Sequence, residues 1–134
     1  MNSSLHYDFV RFGQLLVAYV GNDWSEAAVT SNIESMRGQP EVFFSRPWAT
    51  LWIDVGLSAG QDILEAIAGN SFWALENGLA ARAFVLSSSP KAKSQIDEAL
   101  SRASQVPTRY FTSVPDAVAW LQEMGIDTHY AQES

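Results

Sequence analysis

The segment Trp48–Val55, with the sequence WATLWIDV, constrains the fold of this chain more than any other. Its residues are largely β-branched and aromatic, and the segment is almost continuously apolar. A strand that is covered on both faces has this composition, whereas a strand with one solvated face alternates apolar and polar residues. The segment therefore predicts a central strand in a mostly parallel sheet with helices on its faces.

The hydrophobic period alternates along the chain between about two and about three and a half residues, which is typical of strands that alternate with helices. Gly13 separates two apolar runs so closely that only an antiparallel hairpin can join them. The predicted strands are His6–Phe12, Gln14–Val20, Trp48–Val55, Arg82–Ser87 and Thr108–Thr112. The spacing thus predicts an α/β fold of order β-β-α-β-α-β-α-β-α, with a mostly parallel mixed sheet and an N-terminal antiparallel hairpin.

Four helices follow from capping and stop signals. The first is Trp24–Arg37, the second carries Ile63 and stops at Asn77-Gly78, the third begins at Ser89-Pro90, and the fourth is capped by Ser113 and stops at Gly125. These signals are N-cap side chains and glycines that can adopt the left-handed conformation at a helix end. Gln39–Pro47, with two prolines, is predicted to be an ordered loop or a short edge segment.

The size and composition predict one domain. The chain has 134 residues, of which 47% are hydrophobic and 17% charged, as in globular proteins. We expect a single domain over residues 1–134, with a core at about 7–124 and a mobile tail at 126–134.

Charge and residue inventory exclude several function classes. Fifteen acidic and eight basic residues give a net charge of −7, which repels nucleic acids and anionic lipids. We expect no metal or cofactor, because cysteine is absent, His6 and His129 lie far apart in the sequence, and no phosphate-binding glycine loop occurs. The run Leu15–Val20 is too short to cross a membrane, so a cytoplasmic location without stable membrane insertion is expected.

The turn after the central strand, Gly56-Leu57-Ser58-Ala59-Gly60, admits three interpretations of Ser58. It matches the G-x-S-x-G nucleophile elbow, but the only downstream histidine is His129, so we predict no catalytic residue. Ser58 could form a capping box with Gln61, the interpretation that we favour, or accept a phosphate at the helix N-terminus. Asp54 could be a general base or a magnesium ligand, and we favour a turn or cap role.

Tryptophan is abundant, with five residues in the chain. Trp48 and Trp52 should point to one face of the sheet, and Trp73 lies on the following helix. These three side chains could line an apolar pocket or form a docking patch. We favour core filling, because aromatic side chains dominate the cores of small domains.

Two segments carry a resemblance to a known family. The strand LWID ends in Asp54, and the closing segment YFTSVPDAVAWLQE contains Tyr110-Phe111 and Ala119-Trp120-Leu121. With the order of elements, they resemble the STAS domain of anti-sigma-factor antagonists, and more closely its SpoIIAA-like branch of stand-alone bacterial proteins. The resemblance covers about Tyr7–Met124.

The resemblance implies a regulatory protein-interaction module rather than an enzyme. Antagonists in the family dock a partner kinase through the turn after the third strand and the next helix, where a phosphorylated serine acts as a switch. Here the usual Asp-Ser-Ser-Gly turn is missing, and Ser58 is the only serine of the turn. The resulting candidate interaction residues are Asp54, Gly56, Ser58, Gly60 and Gln61. A carrier or sensor of a small apolar ligand or lipid, a small serine hydrolase and a homodimer remain open alternatives.

Overall fold

The computed structural model of the protein describes residues 9–19, 26–53, 61–85 and 106–128. The elements are β1 Val10–Phe12, β2 Leu15–Tyr19, α1 Glu26–Arg37, a 3-10 helix Glu41–Ser45, β3 Trp48–Ile53, α2 Gln61–Glu76, β4 Leu79–Val85, β5 Thr108–Phe111 and α3 Val114–Glu123. The predicted helix that begins at Ser89-Pro90 lies outside the described residues. Three of the four predicted helices are therefore described.

The strands form one five-stranded mixed sheet in the order β1-β2-β3-β4-β5. β1 and β2 are antiparallel and joined at Gly13, whose φ of 64° suits a tight hairpin turn. The neighbouring pairs from β2 to β5 are parallel. The predicted α/β class, the N-terminal hairpin and the mostly parallel sheet are confirmed, and β3 is the central strand.

The helices cover both faces of the sheet. α1 and α2 belong to successive crossovers of one hand, which place them on the same face. Met36 of α1 and Ala74 of α2 pack there with Leu16, Trp48 and Phe84. On the other face, α3 packs on the strands through side chains that include Ala117, Val118, Trp120 and Leu121. Because both faces are covered, five of the six residues of β3 are buried, as its apolar composition indicates.

The sequence predicted either an ordered loop or a short edge segment for Gln39–Pro47. The structure has the 3-10 helix Glu41–Ser45 in this segment. Phe43 is fully buried on the face of the sheet that α1 and α2 cover. Its burial holds the 3-10 helix against that face. The buried side chain of Gln14 donates a hydrogen bond from Nε2 to the Phe43 carbonyl oxygen at 2.8 Å. The side-chain amide thus satisfies a backbone acceptor that burial would otherwise leave without water.

β4 begins at Leu79, three residues before the predicted start at Arg82. Gly78 turns the chain with a φ of 98°, and Leu79 then pairs directly with Trp48. Ala80 is the extra residue of a β-bulge opposite Trp48 and Ala49. The strand starts early because pairing with β3 outweighs the helix propensity of its alanines.

α3 begins and ends as the sequence predicts. The Ser113 side chain accepts a hydrogen bond from the Asp116 backbone N–H at 3.3 Å, and Gly125 follows the helix with a φ of 89°. Beyond it, Ile126 and Thr128 are buried, and the Gln14 backbone N–H donates to the Asp127 carbonyl oxygen. Ile126, the first residue of the expected mobile tail at 126–134, packs into the core on the α3 face, and residues 129–134 lie outside the described residues.

Replacing Ser113 with alanine is expected to lower the free energy of unfolding by about 1 kcal/mol, because an N-cap acceptor is lost. Urea denaturation followed by circular dichroism measures the change. Ser113→Asp is the matched control, since aspartate also caps helices and should stay close to the wild type. An alanine variant as stable as the wild type would show that the cap contributes nothing to stability.

Candidate functional site

The predicted docking turn connects the central strand to α2. Asp54, Gly56, Ser58 and Gly60 lie between the end of β3 and the start of α2, outside the described residues. Gln61 is the first residue of α2. The three interpretations of Ser58 therefore stay predictions. What the structure gives is the position of the following helix, which lies against the sheet and against α1.

Trp48 and Trp73 lie in an aromatic group near the amino-terminal end of β3. Trp48 is 0% exposed, and its indole Nε1 donates to the Asn77 carbonyl oxygen at 2.8 Å. Its ring centroid is 5.4 Å from those of Phe43 and Phe44. The half-buried ring of Trp73 lies 5.6 Å from that of Phe44. These contacts fill the space between the sheet, α2 and the 3-10 helix.

Trp52 belongs to a second aromatic group near the carboxyl end of the strands. It lies on the same face as Trp48, but the two are separated by four residues, or about 13 Å along a strand. Its ring stacks on Phe84 at 6.2 Å, and Phe84 stacks on Tyr110 at 5.5 Å. The ring centroid of Phe9 lies 5.0 Å from that of Trp52, with the two ring planes nearly perpendicular. All three predicted tryptophans thus contact other rings in one core cluster.

Arg82 of β4 is a buried cation. Its side chain is 3% exposed, and Nε donates to the Thr108 hydroxyl oxygen at 3.0 Å. In register, Arg82 lies between Thr50 of β3 and Thr108 of β5. Desolvation lowers the pKa of Arg82 to about 10, partly opposed by the charge of Tyr110. The guanidinium therefore remains charged at neutral pH. The only sequence signal was a single arginine within an apolar strand, LAARAFV.

Polar contacts fix α2 against α1. Arg37 of α1 donates from Nε to the Asn70 side-chain oxygen at 3.0 Å, and its guanidinium lies 4.9 Å from the Trp73 ring centroid. Asn70 in turn donates from Nδ2 to the Met36 sulfur at 3.3 Å. Asn70, Ser71 and Ala74 are buried. Together these contacts determine which side of α2 faces away from the protein.

That side carries four exposed residues in one line, Glu65, Gly69, Phe72 and Glu76, which we call the outer stripe of α2. Their spacing of i, i+4, i+7 and i+11 places them on one face of the helix. Phe72 is 42% exposed, the most exposed aromatic ring among the described residues. A Cβ atom built on Gly69 would meet nothing within 4 Å. The apolar stripe of this helix was predicted from the sequence, whereas the outer stripe was not, although a glycine inside a helix was a signal.

The described residues were also searched for membrane-spanning helices and for metal sites. They contain no helix with the length and apolar character needed to span a bilayer. Within the same part of the chain, no three histidine, aspartate or glutamate side chains are grouped so that they could hold a metal ion.

Comparisons of the chain with protein-family models, with curated proteins and with solved structures find no match. The function must therefore be inferred from the contacts and the surface of the chain itself.

Proposed function

We propose that the chain is a non-catalytic protein-interaction module of the STAS-like, SpoIIAA-like kind, and that it acts in bacterial regulation. In this proposal it docks a partner protein through α2 and through the turn that precedes α2. The observation that carries the proposal is the outer stripe of α2, where an exposed phenylalanine follows a glycine that the fold does not require.

Gly69 lowers the stability of α2 without an internal reason. Glycine inside a helix is less favourable than alanine by about 0.5 to 1 kcal/mol. Gly69 lies in the middle of Gln61–Glu76, and the space that a Cβ atom would occupy is empty. Among the described residues, no neighbouring group therefore excludes alanine. A partner whose backbone approaches α2 closely would give the glycine a role.

Phe72 supplies an apolar anchor one turn further along the helix. Aromatic side chains that become fully desolvated at an interface account for a large share of binding energy. The helix that carries Phe72 is held by the Arg37–Asn70 hydrogen bond and by the burial of Ala74. A preorganised anchor of this kind loses little conformational freedom on binding, which favours affinity.

The predicted turn directly precedes the same helix in the sequence. Asp54, Gly56, Ser58, Gly60 and Gln61 connect β3 to the beginning of α2, so a phosphate on Ser58 would add negative charge next to the docking helix. Phosphosite mapping of the protein isolated from its native cells tests this regulation. Ser58 without a phosphate under all growth conditions would remove the switch from the proposal and leave the docking helix.

Neither alternative function gains support from the described residues. Trp48, Trp52 and Trp73 contact other rings of the core, as expected of packing residues. A fluorescence change on addition of fatty acids would nevertheless favour the apolar-ligand alternative. Labelling by a fluorophosphonate that is lost in Ser58→Ala would favour the hydrolase alternative.

Gly69→Ala is expected to raise the free energy of unfolding by about 0.5 to 1 kcal/mol and at the same time to weaken partner binding. Phe72→Ala is expected to cost less stability than the truncation of a fully buried phenylalanine, because 42% of the residue is exposed, and to weaken binding at least about fivefold. Urea denaturation measures the first property. Quantitative affinity capture from native cell extract, compared with the wild type, measures the second.

Val42→Ala is the matched control. Val42 is 65% exposed and lies on the 3-10 helix rather than on α2. Its replacement should leave both stability and capture unchanged. If Gly69→Ala and Phe72→Ala capture the same proteins in the same amounts as Val42→Ala, α2 is not the docking surface.

A further inference from the structure

We infer that Asn77, in the turn between α2 and β4, is a site of spontaneous deamidation, and that the closed turn restrains the reaction until the end of α2 opens. The product is aspartate or isoaspartate, and either one removes contacts that close the turn. Asparagine is among the chemically labile residues of proteins. Here the contacts of a single turn control its reaction.

The sequence places the reactive pair at this turn. In deamidation, the backbone nitrogen of the following residue attacks the side-chain carbonyl carbon of asparagine, so a bulky following residue hinders the approach. Glycine has no Cβ atom and leaves this nitrogen most accessible. The five asparagines of the chain are followed by serine, aspartate, isoleucine, serine and glycine, and glycine follows only Asn77. Gly78 is exposed, so water reaches the pair.

The hydrogen bonds of the closed turn oppose the reaction. Asn77 donates from Nδ2 to the Trp73 carbonyl oxygen at 2.8 Å, which directs its side chain towards the preceding turn of α2. The Gly78 backbone N–H, whose nitrogen would attack, donates to the Leu75 carbonyl oxygen at 3.3 Å. The Asn77 carbonyl oxygen accepts from Trp48 Nε1 at 2.8 Å. The attack therefore needs this end of α2 to open by local unfolding.

In the opened turn the reaction needs water alone. The Gly78 nitrogen loses its proton to water or hydroxide and forms a bond to Asn77 Cγ, while the Cγ–Nδ2 bond breaks and ammonia leaves. The product is a cyclic imide. Water then cleaves one of the two carbonyl bonds of the imide nitrogen. Cleavage of the bond to Cγ gives aspartate, and cleavage of the bond to the main-chain carbonyl carbon gives isoaspartate, in which the chain runs through Cβ and Cγ.

Either product weakens the junction between α2 and the sheet. A carboxylate at position 77 cannot donate to the Trp73 carbonyl oxygen, and its negative charge lies at the C-terminal end of α2, where the helix dipole disfavours it. Isoaspartate also lengthens the main chain just before Leu79, which pairs with Trp48. Because ammonia leaves, the change does not reverse spontaneously. The turn therefore records the age of the chain.

Mass spectrometry of peptides from the aged full-length protein tests the inference. The purified chain is incubated near neutral pH, folded in buffer or unfolded in guanidinium chloride. The mass increase of an amide-to-carboxyl exchange and the chromatographic separation of the isoaspartate peptide measure the conversion. Asn77 should convert in both samples, at least about tenfold more slowly in the folded one. Asn70, which is followed by Ser71, is the internal control and should convert more slowly than Asn77 in the unfolded chain.

Trp48→Phe tests whether contacts of the turn restrain the reaction. The variant keeps an aromatic ring but loses the donor to the Asn77 carbonyl oxygen, so the folded variant should deamidate at least about threefold faster than the wild type. Trp120→Phe is the matched control, because it also replaces a buried tryptophan but lies in the core cluster on the α3 face. It should deamidate at the wild-type rate. Circular dichroism verifies that each variant is folded.

Asn77→Asp reproduces one product and should unfold at a lower denaturant concentration than the wild type, whereas Asn77→Gln should stay closer to it. No conversion of Asn77 in the unfolded chain overturns the site. Equal rates in the folded and unfolded chain, or equal rates in folded Trp48→Phe and Trp120→Phe, overturn the restraint by the turn. An Asn77→Asp variant as stable as the wild type overturns the effect on the junction. None of these measurements involves a partner, so each outcome leaves the proposed docking helix untouched.

Discussion

Replacement of Trp48 with alanine is expected to lower the free energy of unfolding by about 3 to 5 kcal/mol, the loss typical of a large buried aromatic side chain. Trp48 is fully buried between Phe43 and Phe44, and its indole N–H satisfies the Asn77 carbonyl oxygen at 2.8 Å. Alanine therefore leaves a cavity and also an unsatisfied backbone acceptor. Urea denaturation monitored by circular dichroism measures the loss.

Trp48→Phe separates the two contributions. Phenylalanine keeps an aromatic ring in the core but cannot donate to Asn77, so the loss should be clearly smaller than for alanine. If Trp48→Ala loses less than about 1 kcal/mol, the side chain is not a packing residue, because a core tryptophan cannot be removed so cheaply. Trp48 would then again be a candidate residue of a ligand pocket.

Arg82→Met is expected to raise the free energy of unfolding at pH 7 by about 1 to 2 kcal/mol. Burial lowers the pKa of Arg82 to about 10. A pKa lowered this far corresponds to a penalty of about 3 kcal/mol on the charged side chain in the folded state. Methionine removes the penalty and keeps much of the volume, while the polar contacts of Arg82, among them the hydrogen bond to Thr108, are lost at a combined cost of about 1 to 2 kcal/mol.

The stability difference between Arg82→Met and the wild type should change with pH, whereas a difference caused by packing alone would not. Because the folded-state pKa of Arg82 is lowered to about 10, the unfolded chain binds more protons than the folded chain once the pH exceeds about 10, so wild-type stability gains from this group as the pH rises above that value. The advantage of Arg82→Met should therefore be full at pH 7 and smaller at pH 10.5. Chemical denaturation of both proteins at the two pH values measures the difference.

Arg82→Lys serves as the control, because it keeps the charge and loses the planar guanidinium. It should be no more stable than the wild type. A loss of more than about 1 kcal/mol in Arg82→Met would contradict the prediction and would show that the polar contacts of Arg82 outweigh its desolvation.

Local signals predicted most of the fold. The composition of WATLWIDV, the glycine between two apolar runs and the Ser113 cap depend on neighbours in sequence, and the structure agrees with each. The start of β4 and the 3-10 helix depend instead on distant partners. Leu79 pairs with Trp48 in the sheet, and Phe43 packs into the core. Such tertiary contacts leave no periodic pattern in the sequence.

Local sequence signals predicted the candidate site less well than the fold. The helix after β3 was predicted as part of the docking surface, but the face it exposes depends on α1. Arg37 contacts Asn70 and Trp73, and with them fixes the rotation of α2 about its axis. Arg82 was likewise missed, because its neighbours Thr50 and Thr108 come from strands far away in the chain.

Gln14 gives the fold a late step during protein synthesis. Its backbone N–H donates to the Asp127 carbonyl oxygen, more than a hundred residues away, while its side chain holds the Phe43 carbonyl oxygen. Domains fold as units during translation, and contacts between distant residues form late. The contact to Asp127 can form only after that residue has left the ribosome. It therefore forms later than the pairs between β1 and β2, whose residues all lie within Val10–Val17.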